Sequence, residues 1–143
     1  MRRTRFADDA CPVARAVDVV GDWWSILIVR DALIGKRRFG EFQTSLGVAK
    51  NILTDRLRKL VAAGVLEQVP AADGSSYREY ALTERGRALL PVLVALGQWG
   101  TCDGGGFKVV DRKTGKPARL EFRTADGRCL DPTEVRLVQD DGA

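Results

Sequence analysis

Histidine is absent from this chain of 143 residues. Its absence removes the commonest general base of enzymes, a frequent metal ligand and every Ser-His or Cys-His nucleophile pair. A thiol enzyme using Cys11 would need such a base and a resolving partner. The composition therefore argues against catalysis, and we expect the protein not to be an enzyme.

Cysteine is scarce, and its three copies are scattered. Cys11, Cys102 and Cys129 form no C-x-x-C pair. An odd, widely spaced set is neither a disulfide framework nor a zinc site. We expect a reduced, cytoplasmic protein that holds no metal and no cofactor.

Long hydrophobic runs are also missing. The longest uncharged apolar stretch, Ala88–Gly97, contains Pro91 and is too short to span a bilayer. The basic start is followed by Ala7–Ala10, two alanines around two aspartates, where a signal peptide has its apolar core. With 45% apolar and 29% charged residues, the chain is expected to fold as a globular protein without a membrane partner.

Positive charge is concentrated in one segment. Residues 36–59 contain seven Lys or Arg and two Asp or Glu, whereas the whole chain carries a net charge of +4. Such a local excess indicates a surface for a polyanion, although a solvated basic face has the same composition.

Apolar spacing and punctuating residues predict helices followed by a hairpin and a further helix. Asp22 is expected to cap a second helix that is apolar at nearly every position and therefore buried as the central core element. This order predicts an α+β fold, mainly α, with a winged helix-turn-helix domain. The predicted helices are Pro12–Val20, Trp23–Ile34, Phe39–Leu46, Val48–Ala63 and one from Thr83 to about Trp99, with a bend at Pro91; the predicted strands are Val65–Val69 and Tyr77–Leu82.

The C-terminal segment has a different character. Gly104–Gly106 is expected to be a flexible joint, and Phe107–Val110 and Ala118–Phe122 flank a turn in a hairpin-like pattern. Asp126-Gly127 predicts another turn, and Val135–Val138 another short strand. We expect residues 1–100 to form the winged domain, with dimerisation helices at both ends, and residues 101–143 a small β appendage.

The predicted helix Val48–Ala63 has two chemically distinct faces. Apolar side chains mark one face, and amide, hydroxyl and guanidinium groups that can bond base edges mark the other. Asp55 is expected to pair with Lys59 one turn away. Arg37 and Arg38 are expected to contact phosphates. Ser75, Ser76 and Arg78 are expected to contact DNA from the hairpin, although Asp73 at the hairpin tip would be repelled by phosphate. The predicted DNA contacts are Arg37, Arg38, Lys50, Asn51, Thr54, Arg58, Ser75, Ser76 and Arg78.

One other function remains open beside DNA binding. A winged-helix module could bind protein and never touch DNA, but such a face would show aromatic or aliphatic anchors rather than a polar stripe.

The last predicted helix spreads its apolar side chains over roughly 220° of the helix wheel, which is more than one domain covers. A second copy of the chain, or the folded-back tail, would cover the excess.

Five motifs occur in order along the chain: Cys11-Pro12-Val13 through Gly21, Trp24, Arg37-Arg38-Phe39, Leu53–Leu60 and Tyr80–Gly86. Together they resemble the HxlR-type family of bacterial and archaeal winged-helix transcription factors. The resemblance implies a homodimer that reads a two-fold symmetric operator in double-stranded DNA with the helix Val48–Ala63. It also implies that the first helix joins the dimer interface, which we predict to contain Val13, Val17, Leu89, Leu93, Leu96 and Trp99. The segment 123–132 looks like the zinc-ribbon-like tail of some members without its paired cysteines.

Cys11 is the predicted site of reactive chemistry. At a helix N-cap, free backbone N–H groups and the helix dipole would favour its thiolate, and Arg15 would add to this effect. Asp8 and Asp9 would oppose it. Several members of the resembled family sense oxidants or electrophiles through a cysteine near this position. Cys11 is therefore a candidate redox sensor, and an unreactive capping cysteine is the alternative.

Overall fold

The computed structural model describes residues 5–100 and 106–140. The chain divides into two compact units, residues 1–93 and 94–143. No helix in the described ranges is long and apolar enough to cross a membrane. The elements are α1 (Pro12–Val20), α2 (Trp23–Leu33), α3 (Phe39–Leu46), α4 (Lys50–Ala62), β1 (Leu66–Pro70), β2 (Arg78–Leu82), α5 (Glu84–Arg87), α6 (Leu90–Trp99), β3 (Phe122–Arg123), β4 (Cys129–Leu130) and a 3-10 turn, Pro132–Glu134.

The core of the first unit forms where α2, α3, α4 and β1 meet. Asp22 starts α2 as predicted, because its Oδ1 accepts a hydrogen bond from the Ser25 backbone N–H at 2.9 Å. The predicted α+β, mainly α, winged fold is confirmed. The buried apolar side chains include Ile28 and Val29 of α2, Phe42 of α3, Leu53, Leu57 and Leu60 of α4, and Val65 and Leu66.

The β1–β2 hairpin and its loop, residues 66–82, are called the wing below. The strands pair antiparallel from Leu66 opposite Leu82 to Pro70 opposite Arg78. Behind the wing, Thr83 Oγ1 accepts from the Gly86 N–H at 3.0 Å and starts α5. A Cβ on Gly86 would lie 2.2 Å from the Val65 carbonyl oxygen, so this residue must be glycine for α5 to pack so closely.

Three predicted helices have different bounds in the structure. The second ends at Leu33 rather than at Ile34. The helix predicted from Val48 begins at Lys50, and Val48 lies buried before it. The helix predicted from Thr83 to Trp99 is two helices, with the break at residues 88–89 rather than a bend. Pro91 has no N–H to donate and its ring clashes with the preceding turn, so α5 ends and α6 starts again just before it.

The central helix α2 is buried on several sides, as predicted, and one residue at its start is the exception. Trp23 is 83% exposed, whereas the charged Asp31 is fully buried. Ser25, Ile28 and Val29 are buried as well, and the remaining residues of α2 are half-buried. Asp31 Oδ1 accepts from Arg30 Nε at 3.0 Å, whereas its buried Oδ2 has no hydrogen-bond partner among the described residues.

The C-terminal unit contains less regular structure than predicted. The expected hairpin is reduced to one bridge between Val110 and Pro117, and the predicted strand Val135–Val138 is not a strand. A turn at Gly127 (φ +92°) joins β3 to β4, as the Asp-Gly pair indicated. The first two glycines of the predicted joint, Gly104–Gly105, lie outside the described residues, as does Cys102.

Candidate nucleic-acid interface

The helix α4 presents the predicted polar stripe to solvent. Leu53, Leu57 and Leu60 are at most 1% exposed and hold the opposite face of the helix in the core. Thr54 Oγ1 donates to the Lys50 carbonyl oxygen at 2.8 Å, so its hydroxyl is already partly engaged. Four predicted DNA contacts share this exposed stripe: Lys50, Asn51, Thr54 and Arg58.

An acidic residue organises the cations of α4. Asp55 lies 2.9 Å from Arg58 Nη2 and 3.1 Å from Lys59 Nζ, so the predicted pair with Lys59 is confirmed. The hydrogen bond from Lys59, with smaller help from Arg58, lowers the pKa of Asp55 despite partial desolvation. Arg58 remains 75% exposed at its side chain, and the ion pair restrains its direction.

A second ion pair joins α4 to the start of α2. Arg56 Nε lies 3.1 Å from Asp22 Oδ1, and Ser25 Oγ donates to Asp22 Oδ2 at 2.6 Å. Burial alone would raise the pKa of Asp22, but the Ser25 hydrogen bonds and Arg56 outweigh it and lower the pKa. The carboxylate that caps α2 therefore also restrains α4.

The arginines before α3 are engaged with the wing. Arg37 Nε lies 3.4 Å and Arg38 Nε 3.5 Å from the two carboxylate oxygens of Glu79 on β2. Arg38 Nη2 also lies 2.5 Å from Asp73 Oδ2. Both side chains keep more than a third of their surface exposed, so any phosphate contact would compete with these acids.

The wing tip carries the other predicted contacts. Ser75, Ser76 and Arg78 are all exposed. Hydrogen bonds from the Ser75 backbone and side chain, with help from Arg38, lower the pKa of Asp73 to about 2. Asp73 therefore stays charged, and Arg38 offsets the repulsion that it would exert on a phosphate.

A groove of about 920 Å³ between α3 and the wing contains residues that sequence reasoning missed. The Arg38 guanidinium lies over the Tyr77 ring, 5.8 Å from its centroid. These residues come from separate segments, so no local spacing could have grouped them. The newly found lining residues include Lys36, Thr44, Ser45 and Tyr77.

The predicted dimer residues divide into two groups. Leu89 and Leu93 are half-buried and pack against the core of the first unit. The other four are exposed: Val13 (70%) and Val17 (46%) on α1, and Leu96 (47%) and Trp99 (90%) on α6.

Cys11 is exposed and is the N-cap of α1, as predicted, but its side chain makes no capping hydrogen bond. Its own N–H donates to Asp9 Oδ1 at 2.8 Å. The guanidinium of Arg15 was expected to favour the thiolate. Its Nη1 instead donates to the backbone carbonyl oxygens of Asp9 and Ala10.

Comparison with known proteins identifies the family. The model of the HxlR-like helix-turn-helix family matches residues 19–104. The chain belongs to the HxlR family. The resemblance in the motifs is confirmed, and with it the assignment to DNA-binding helix-turn-helix transcription regulators.

Several proteins are similar to this HxlR regulator. The HTH-type transcriptional regulator Rv3095 of Mycobacterium tuberculosis is 39% identical over 88% of this chain and 73% of its own length. The crystal structure of the transcription factor PA1607 is 50% identical, covers 96% of this chain and 100% of its own, and has a TM-score of 0.83. The redox regulator HypR in its reduced form is 31% identical over 63% of this chain and 90% of its own, with a TM-score of 0.56.

The Asp22–Arg56 pair predicts a pH-dependent stability. Because folding lowers the pKa of Asp22, its contribution is present above the unfolded value and is lost as pH falls through the folded one. Asn caps a helix as well as Asp does, so Asp22→Asn removes mainly the charge. We expect it to lower the free energy of unfolding by about 1 kcal/mol at pH 7 and by almost nothing once the pH is well below the lowered pKa of Asp22.

Urea unfolding across this pH range measures the effect. Asp8→Asn removes the same charge from an exposed residue and is the control. A difference between wild type and Asp22→Asn that does not change with pH would contradict a stabilising ion pair.

Proposed function

We propose that this HxlR regulator is a cytoplasmic homodimer that represses transcription by binding a pseudo-palindromic operator and responds to oxidants or electrophiles through Cys11. The observation that carries the DNA-reading part is the exposed polar stripe of α4, whose opposite face is anchored in the core. A helix held in this way can enter the major groove without losing its packing.

The chemistry of the stripe supports reading of bases. Asn51 suits adenine and Arg58 suits guanine, because their side chains match the major-groove donors and acceptors of those bases. Lys50 in the first turn suits a phosphate. We propose that Arg37, Arg38, Ser75, Ser76 and Arg78 add contacts that set the register of the complex.

Exposed apolar side chains support the homodimer. Val13 and Val17 are exposed on α1, and Leu96 and Trp99 on α6. Large apolar groups without cover are common at interfaces between subunits. A symmetric dimer would present two α4 helices to half-sites whose centres lie about 34–36 Å apart, or a multiple of that distance.

Two observations support a redox response. Cys11 is exposed at the N-cap of α1, where an oxidant or electrophile in solution can reach its thiol. HypR, which shares the fold and about a third of its sequence, is named as a redox regulator and is known in reduced and oxidised forms. Oxidation of Cys11 would add bulk or charge at the start of α1 and so change the proposed interface.

Arg58→Ala tests the reading of bases by α4. We expect binding to a duplex selected from a random library to weaken by about 1–3 kcal/mol, and the preference at one base pair to relax. Fluorescence anisotropy with single-base variants of the duplex measures both effects. Arg85→Ala removes the same charge from the exposed surface of α5 and should bind as wild type does. Equal affinities of Arg58→Ala and Arg85→Ala would place the DNA interface elsewhere.

Leu96→Asp tests the dimer. Leu96 is already 47% exposed in the protomer, so the charge should leave the protomer folded but be buried without a partner in a dimer. We expect sedimentation to show a dimeric wild type and a monomeric variant at micromolar concentration. Leu137→Asp, at a fully exposed leucine, is the control and should remain dimeric. A monomeric wild type would refute the homodimer.

Cys11→Ser tests the sensor. We expect peroxide or a quinone to change the DNA affinity of wild type and of Cys129→Ser, but not that of Cys11→Ser. The alkylation rate of Cys11 should also exceed that of Cys129, which is exposed but has no helix N-terminus beside it. An unchanged oxidant response in Cys11→Ser would leave Cys11 as a capping residue only.

A further inference from the structure

Glu79 is a charged residue in an unusually buried position. It lies on β2, yet it is only 6% exposed. Oε1 accepts from the Ala72 backbone N–H at 3.0 Å and from Arg37 Nε at 3.4 Å, and Oε2 accepts from Arg38 Nε at 3.5 Å. A buried carboxylate needs such donors, and here they come from two separate segments, the wing loop and the α2–α3 connection.

We propose that Glu79 is a positioning residue for DNA recognition, because it locks the wing to the α2–α3 connection so that the wing and α4 meet DNA as one rigid surface. The inference rests on the proposed DNA-binding function and adds a residue that makes no DNA contact itself.

Further contacts extend this lock toward α4. The Tyr80 N–H donates to the Arg37 carbonyl oxygen at 2.7 Å, which joins β2 directly to the connection. Glu41 in the first turn of α3 accepts from the N–H groups of Arg37 and Arg38 at 3.2 and 3.0 Å. Because Phe42 of α3 packs in the core with α4, displacement of the wing would strain a continuous set of contacts.

Asp73 offers a contrast on the same wing. It also binds Arg38, but its side chain is 57% exposed, so water and salt can replace the pair. The Glu79 side chain is only 8% exposed, so water and salt replace its partners less readily. The Ala72 N–H foremost, and then the arginines, lower its pKa despite desolvation, so it stays ionised. Asp73→Asn and Glu79→Gln each remove one negative charge from the wing. Only the second removes it from a buried position.

Glu79→Gln, with Asp73→Asn as its matched control, tests the inference. Gln keeps an acceptor for Ala72 but loses the charge that holds both arginines. We expect Glu79→Gln to lower the ratio of the affinities for the selected and a scrambled duplex about tenfold, while binding to the scrambled duplex is unchanged or stronger because Arg37 and Arg38 are released. Asp73→Asn should leave the ratio of the two affinities unchanged. Simple loss of folded protein would weaken both duplexes equally.

A double-mutant cycle then separates positioning from an independent effect. Combined with Arg78→Ala on the wing, Glu79→Gln should cost less than the product of the two single losses, because the wing contact is already impaired. Combined with Arg58→Ala on α4, the losses should multiply.

Hydrogen exchange shows whether the variant remains folded. The Ala72 and Tyr80 amides should lose protection in Glu79→Gln, while the Leu57 amide in the core keeps it. If the Leu57 amide also loses protection, Glu79→Gln has disturbed the core. Glu79→Asp, which keeps the charge on a shorter side chain, then replaces it in the double-mutant cycle.

The outcomes distinguish this inference from the function on which it rests. Multiplying losses with Arg78→Ala would overturn the positioning role while leaving DNA binding intact. A wild type that selects no sequence from the library would overturn the proposed function and this inference with it.

Discussion

Burial of three leucines on one face of α4 is the constraint on which the proposed DNA surface depends. Leu53, Leu57 and Leu60 recur at helical spacing and are at most 1% exposed. Each contributes about 1.5–3 kcal/mol by leaving water, and together they fix the rotation of the helix about its axis. Asn51 and Arg58 face solvent because these leucines cannot.

Acidic side chains give the basic surface its order. Asp55 restrains Arg58, Asp22 ties Arg56 to the start of α2, and Glu79 holds the arginines before α3. Such pairs reduce the bare attraction to phosphate. In return, they hold long, flexible cations in defined directions, which favours specific over non-specific recognition. The net excess of positive charge remains for steering DNA toward the site.

Local signals were sufficient for much of the fold. The bounds of α1 and α3, the Asp22 cap and the Gly127 turn depend on a few neighbouring residues, and the structure agrees with them. Elements that depend on distant partners were less predictable. A strand at Val135–Val138 would need another strand to pair with, and exposure of Trp23 depends on which neighbours cover α2.

By itself, the sequence determined the family, the helical order and the polar stripe of α4, because helical periodicity and short motifs are properties of adjacent residues. Only the tertiary structure decided that Arg37 and Arg38 bind Glu79. It also decided that Tyr77 lines a groove with α3, and that Leu89 and Leu93 pack against the core. Glu79 is separated from Arg37 by more than forty residues, and only the folded hairpin brings its carboxylate to the two arginines. Charge pairs of this kind have no signature in local spacing, since their geometry arises when separate segments pack.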